Sequence, residues 1–284
     1  MQEHLISILV RTRNDEAFIG RTLEALFGQK CDFPFEVMVC NDASTDRTPE
    51  IIASFDKAIP IQRPDGPYMP GRTLNHLAKV ANGDLVVFNN ADAIPQNDSY
   101  IQEIVRPLLE TDAEAVYANQ LPRPDAQYLV RKDNLRAFGD GTIAAKWRFF
   151  FSMAASAARK TTLQEHPFDE TIRYSEDVEW AYRNKLKIAY AKDALVEHSH
   201  NYTISQLKRR FYGEGYADAR IFGTVPSFSR SVMSAGMETL RDWAFIIAHP
   251  AGFKEIFTAP VRRWVQKMHY RKGALDYAAG KSFI

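Results

Sequence analysis

Three short apolar runs set the strongest limit on what this chain can fold into: Leu5–Val10 (LISILV), Phe35–Cys40 (FEVMVC) and Asp84–Asn89 (DLVVFN). They are too short for helices and suit strands covered on both faces, the situation of parallel strands in α/β domains. Helix-period segments lie between them. Ala17–Gln29 puts Ile19, Leu23, Leu26 and Phe27 on one face. Glu50–Phe55 is opened by Thr48 as a cap and Pro49 at the first helical position, and Thr73–Ala81 follows. A short strand is expected at Ala58–Gln62. This alternation predicts an α/β fold, a doubly wound, mostly parallel Rossmann-like sheet flanked by helices. Further on, Ser175–Lys185 reads as a helix, and Lys187–Tyr190 with Leu195–His198 as one or two strands. The section from Pro122 reads as irregular loop, and residues from Tyr202 onward as helical.

The 284 residues carry a net charge of only +1, but the charge is split. Residues 201–284 hold 13 Lys and Arg against 6 Asp and Glu, which leaves a net −6 for the rest. Two regions are therefore expected: 1–200, catalytic and nucleotide-binding, and 201–284, a basic helical region packed on it. Near-neutral total charge and the lack of a reader motif argue against nucleic acid as a partner. Two cysteines, Cys31 and Cys40, make neither a disulfide framework nor a metal spacing. With no leader pattern and no run of about 18 apolar residues, a cytoplasmic protein is expected. In Val261–Leu275, the residues Val261, Trp264, Val265 and Met268 form a stripe, with Arg262, Arg263, Lys267 and Arg271 mostly elsewhere. That pattern fits a helix packed on the catalytic domain, or one lying peripherally on an anionic membrane surface.

Ligands of open α/β sheets bind beyond the C-terminal strand ends. Three polar clusters fall there: RTRNDE (11–16), NDASTD (41–46) and NNADAIP (89–95). Neither a GxGxxG after the first strand nor a P-loop pattern occurs, so dinucleotide and P-loop chemistry lose their main support. Asp42 follows a buried strand, where an unpaired carboxylate costs several kcal/mol and a donor-rich nucleoside would satisfy it. Gly71 allows a tight turn before Arg72, whose place at a helix start suits a neighbouring anion. Asp92 has two readings, an Asx-type turn before Pro95 or a hard oxygen ligand for a divalent cation. Glu176 and Asp177 sit together at a helix start, and His198 and His200 alternate out of a strand toward one side.

The series VRTRNDE, VCNDASTDRT, GDLVVFNNADAIP, FDE…SEDVEWAYR and VEHSH resembles family-two inverting glycosyltransferases of the GT-A fold, and is most similar to rhamnosyltransferase-like and galactofuranosyltransferase-like members. The resemblance covers roughly residues 5–200. It implies that Thr12, Arg13, Asn14, Asp42, Arg72, Asn90 and Ala91 border the nucleotide-sugar donor. Asp92 stands at the second carboxylate of the family's Asp-x-Asp metal motif, with Asn90 replacing the first. His198, and less favourably His200, would complete a Mn²⁺ or Mg²⁺ site, and Asp177 beside Glu176 would be the catalytic base. The implied partners are a UDP-, dTDP- or GDP-linked sugar and a saccharide or lipid-linked acceptor in bacterial surface glycan synthesis. Two rivals are kept: a sugar-1-phosphate nucleotidyltransferase, and a catalytically idle nucleotide-sugar binder or assembly protein.

Overall fold

The computed structural model of the chain describes residues 4–147 and 149–283. It divides into two compact units. The first runs to Leu121 and adds Arg136–Ile172 and Glu176–His198; the second takes Pro122–Leu135, Arg173–Ser175 and the chain from Ser199.

The first unit is built around an eight-stranded sheet. Its elements begin β1 (Ile6–Thr12), α1 (Ile19–Phe27), β2 (Phe35–Asn41), α2 (Thr48–Ala53), β3 (Ala58–Ile61), α3 (Pro70–Val80) and β4 (Leu85–Asn90). They continue with β5 (Ile94–Pro95), α4 (Tyr100–Glu110), β6 (Ala115–Leu121), β7 (Ala155–Arg159), α6 (Lys160–Glu165), α7 (Glu176–Asn184) and β8 (Ile188–Glu197), while α5 (Tyr128–Ala137), which follows β6 in the chain, falls mostly in the second unit. The strand order is β3-β2-β1-β4-β7-β6-β8-β5. β1, β2, β3 and β4 run parallel, while β7 is antiparallel to both β4 and β6. Alternation along β1 sends Ile6, Ile8 and Val10 into one core and Leu9 into the core on the opposite face, as a doubly covered strand requires.

Register places the site. Arg11 of β1 pairs with Cys40 of β2 and with Asn90 of β4, so the three polar clusters share one sheet edge. β7 brings a fourth segment to that edge, because Asn90 N–H donates to Ala154 O at 2.8 Å.

The section after Pro122 is not irregular, contrary to the sequence expectation. It holds α5, β7 and α6. β7 is ASAAR, four small residues that are weak strand formers by themselves; its place between β4 and β6 makes it a strand. Thr48 does not cap α2. It is the first helical residue, and its hydroxyl accepts from Asp15 N–H at 2.8 Å. Gly71 lies within α3 and makes no turn. A Cβ there would stand 2.4 Å from Asp169 O, so its role is close backbone approach.

The second unit is helical: α8 (Ile204–Phe222), α9 (Phe228–Ala248), a 3₁₀ segment (Pro250–Ile256) and α10 (Ala259–Ala278). α8 opens with a reciprocal capping box between Thr203 and Gln206. α8 and α10 touch backbone to backbone: a Cβ on Gly215 would lie 1.9 Å from Tyr270 O, and one on Gly273 2.0 Å from Tyr212 O. Gly273→Ala gains about 1 kcal/mol of helix propensity. The clash is with backbone that cannot swing aside, and overpacking of this kind costs roughly 1–3 kcal/mol or more. The clash therefore wins, and a calorimetric melt of either Gly→Ala variant should show a lowered Tm; an unchanged Tm would mean the helices sit further apart.

Arg262 and Arg263 do not lie on a solvated basic face. They are 8% and 5% exposed. Arg263 donates to Asp242 (Nε to Oδ2, 2.6 Å) and to Asp133 (Nη2 to Oδ1, 2.8 Å), while Lys132 also donates to Asp242. Partners supplied by α5 and α9 convert a basic stretch of sequence into buried ion pairs, which no local pattern announces. The expected stripe is split accordingly: Val265 is buried, whereas Val261 and Trp264 are 55% and 46% exposed.

Candidate active site

A cleft of about 380 Å³ opens at the shared sheet edge, lined by Arg11, Thr12, Arg13, Asp42, Asn90, Ala91 and Asp92 among others. That volume suits a small-molecule ligand.

The β1 and β2 loops are clamped to each other. Asn14 Oδ1 accepts from Thr45 N–H at 2.8 Å, and Asn14 N–H donates to Ser44 Oγ at 2.9 Å. Glu16 N–H donates to Asp46, and Arg47 N–H to Glu16. Asn14 is thus spent on holding loops together and does not line the cleft. Asn14 and Ala43, both with left-handed φ near +55°, and Ser175 at φ +58° before α7, store backbone strain around this edge.

Asp42 is not an unpaired carboxylate awaiting a ligand, as the sequence suggested. Arg63 donates to its Oδ1 at 3.1 Å and Arg13 to its Oδ2 at 3.4 Å. Arg72 also departs from expectation: its guanidinium donates to Pro67 O and lies outside the lining set. The cations that line the cleft are Arg11, Arg13 and Arg63, joined by Tyr68, whose hydroxyl faces Arg11 at 3.4 Å. Asp15 also lines the cleft and lies in the RTRNDE cluster, though it was not singled out there; Arg63 and Tyr68 were not picked as site residues, and their signal was their place in the loop between β3 and α3.

The turn carrying Asp92 is built by its neighbour. Asn89, 1% exposed, donates through Nδ2 to Asn90 O and Ala93 O and accepts from Tyr100 Oη at 3.0 Å. Thr22 of α1 donates to Ala91 O at 2.6 Å. The Asx-turn role expected of Asp92 therefore falls to Asn89.

β5 pairs antiparallel with β8, Ile94 opposite Glu197, which delivers His198 to Asp92: His198 Nε2 and Asp92 Oδ1 lie 3.6 Å apart. The other ring nitrogen, Nδ1, is 2.8 Å from Gln120 Oε1, and Gln120 Nε2 in turn donates to Ser152. Gln120 presents its oxygen to Nδ1, and Nε2 is the nitrogen turned toward the Asp92 carboxylate. That is the orientation a metal-binding imidazole needs. Asp92, His198 and His200, two residues along the chain, form a grouping of His and Asp side chains that could hold a metal ion. Burial first, with Asp92's charge a smaller contribution, raises the proton affinity of the Asp15 carboxyl beside this group.

Asn90 stands in for the missing carboxylate but turns elsewhere, its Oδ1 accepting from Arg11 Nη2 at 3.1 Å. Arg11 also reaches Glu176 Oε1 at 3.7 Å. Asp177 Oδ2 accepts from Met153 N–H at 3.2 Å, one residue from the Ala154 carbonyl that pins Asn90, and its Oδ1 accepts from Val178 N–H. Burial first, and Glu176's charge second, push the Asp177 carboxyl up to about 7. The structure thus brings Thr12, Arg13, Asp42, Asn90, Ala91, Asp92 and His198 to one edge, with Glu176 and Asp177 tied to it through Arg11 and Met153.

The profile for glycosyl transferase family 2 matches residues 7–170, more than half of the chain. The chain belongs to glycosyltransferase family 2. The match to this glycosyltransferase ends before Glu176, so α7 and the histidines that follow β8 are placed by geometry. It is 28% identical over 234 residues to the O-antigen chain rhamnosyltransferase WbaN of Salmonella anatum, covering 76% of this chain and 71% of that one. It is also 28% identical over 251 residues to the O-antigen chain rhamnosyltransferase RfbN of Salmonella typhimurium, covering 83% and 78%. Its fold is similar to that of mannosyltransferase PcManGT from Pyrobaculum calidifontis, solved with GDP-Man and Mn²⁺: TM-score 0.68, 17% identity, 99% of this chain and 89% of that one. Glucosyl-3-phosphoglycerate synthase from Mycobacterium tuberculosis, solved with Mn²⁺, UDP-Glc and phosphoglyceric acid, aligns at TM-score 0.58 and 19% identity over 79% of this chain and 81% of that one. The GT-A fold expected from the sequence is the fold observed.

Proposed function

We propose that this glycosyltransferase moves a sugar, a deoxyhexose such as rhamnose, from a nucleotide-linked donor to a hydroxyl of a saccharide or lipid-linked acceptor in bacterial surface glycan synthesis. Transfer is one displacement, inverting the anomeric carbon. The carrying observation is that Met153 and Ala154 present consecutive backbone groups to Asp177 and to Asn90 at the strand end that bears Asp92. The glycan class rests on the Salmonella relatives, and nucleotide-sugar use on the neighbours solved with GDP-Man and UDP-Glc.

Each residue has a task. Asp42, fixed by Arg13 and Arg63, accepts from the base or ribose; Thr12 and Ala91 wall the nucleotide. Arg11 and Arg63 take over the diphosphate role expected of Arg72. Asp92 and His198, with His200 as third ligand, would hold a divalent cation, and a mixed carboxylate–imidazole set would favour Mn²⁺ over Mg²⁺. When bound, that ion neutralises charge developing on the leaving diphosphate. Asp177 takes the acceptor's proton, since its raised affinity for protons makes it a better base than an ordinary carboxylate. Glu176 faces Arg11 beside it. The residues given these tasks lie in the first unit, apart from His200.

Thermal shift against UDP, GDP and dTDP with Mn²⁺, paired with donor hydrolysis, tests the proposal. One nucleotide should stabilise the chain and its sugar conjugate should turn over. Stabilisation with no turnover would leave the idle-binder reading standing. Gln120→Leu should weaken Mn²⁺ binding about tenfold or more, and Gln120→Glu should retain it, because only the latter still accepts from Nδ1. Electron paramagnetic resonance of free Mn²⁺ reads this directly; equal affinity in all three would remove His198 from the cation site.

A further inference from the structure

Among the described residues no helix is long and apolar enough to cross a membrane. α9 nevertheless shows water a continuous apolar face. Met233, Met237, Leu240 and Ile247 are 66%, 51%, 62% and 73% exposed. They recur every three or four residues, apart from the gap that Ala244 fills, so they form one stripe down the helix. The 3₁₀ segment and the turn beyond it add Phe253 and Phe257, 57% and 77% exposed. Single exposed apolar residues are ordinary, but a contiguous run of this length marks a docking surface.

The charges around the stripe say what docks. Every carboxylate between Phe228 and Trp264 is turned inward. Glu238 pairs with Arg241, Asp242 is fully buried between Lys132 and Arg263, and Glu255 accepts the N–H groups of Tyr128 and Leu129. Besides Arg241, which Glu238 neutralises, the exposed charged residues of this stretch are Arg230 and Lys254, both cations. A second copy of the chain would set these cations against their own counterparts with no outward carboxylate to meet them. Lipid headgroups bring the negative charge, and the acyl boundary takes up Met, Leu, Ile and Phe.

We propose that the outward face of α9, with Phe253 and Phe257, seats on an anionic lipid bilayer at headgroup depth. This stands apart from the chemistry assigned to the cleft, and its failure would leave the transferase reading intact.

The test is flotation of the full chain with vesicles of phosphatidylcholine alone or mixed with phosphatidylglycerol. The expected result is capture by the anionic vesicles only, weakened by salt. Arg230→Glu/Lys254→Glu should lower the partition coefficient more than about tenfold. Met237→Glu/Leu240→Glu should abolish capture while keeping the wild-type Tm and the nucleotide-induced thermal shift, which shows that the fold survives. The proposal is overturned if wild type fails to float with anionic vesicles, or if the stripe variant floats as well as wild type. It is equally overturned if sedimentation velocity finds a dimer that Met237→Glu/Leu240→Glu dissociates.

Discussion

Asp177→Asn should reduce sugar transfer by a factor of about 10²–10⁴, the usual contribution of a positioned base, and at the same time raise the melting temperature at pH 8. Both effects come from one carboxyl. Burial, reinforced by Glu176, raises its proton affinity in the folded chain, up to about 7 from an ordinary 3.8. A group raised in this way stabilises the fold fully while protonated, below about pH 3.8, and that contribution is lost as pH rises through about 7. At pH 8 the wild-type chain must keep a charge in a half-buried place beside another carboxylate, whereas asparagine carries none. Each kcal/mol relieved raises Tm by roughly 2–4 °C. The gain should shrink as pH falls toward 4, so melts at pH 4, 6 and 8 separate relief of charge from a general packing effect. A pH–rate profile adds a second check, because transfer by the wild type should rise through the neutral range as the base ionises. Glu176→Gln removes the neighbouring charge and should move that limb to lower pH. Asp177→Asn with normal turnover would end its assignment as the base.

Removal of the cation should be the other large effect. With EDTA, turnover should drop to background, and added Mn²⁺ should restore it in the wild type. Asp92→Ala should lose transfer by about 10²–10³, the scale on which one stabiliser of transition-state charge acts, and Mn²⁺ should not rescue it. His198→Ala should bind Mn²⁺ more weakly and recover part of its activity at high metal. Arg11 and Arg63 also face the cleft, so undiminished turnover in EDTA would mean that these guanidinium groups carry the diphosphate charge alone.

Much of the sheet edge could be read from the chain because β1, β2 and β4 announce themselves with branched apolar residues and then stop at polar clusters. β7 could not, since alanine and serine carry little strand preference and only the neighbours on either side decide its conformation. α4 hides behind Pro107, which removes a helical N–H in its last turns. At the site, Asp92 was ambiguous because Asn89 and Asp92 are both turn-forming residue types, and three residues of sequence do not say which one bonds the backbone. Asp42 looked needy because Arg63, 21 positions later, comes back beside it only in the fold. The same blindness to distant partners made Arg263 look solvated. Local pattern finds where a site lies, and long-range pairing decides which of its groups remain available.

The insertion of β7 between β4 and β6 also bears on how the chain is made. β4 leaves the ribosome with one partner, β1, already synthesised, and its other flank bare until Ala155–Arg159 follows. At a synthesis rate of about 5–20 residues per second, that wait is on the order of 3–14 s. During it, a nascent Val-Val-Phe strand has its hydrogen-bonding edge open to any passing polypeptide. Chaperone cover in this interval, rather than the finished enzyme's stability, should limit the yield of soluble protein.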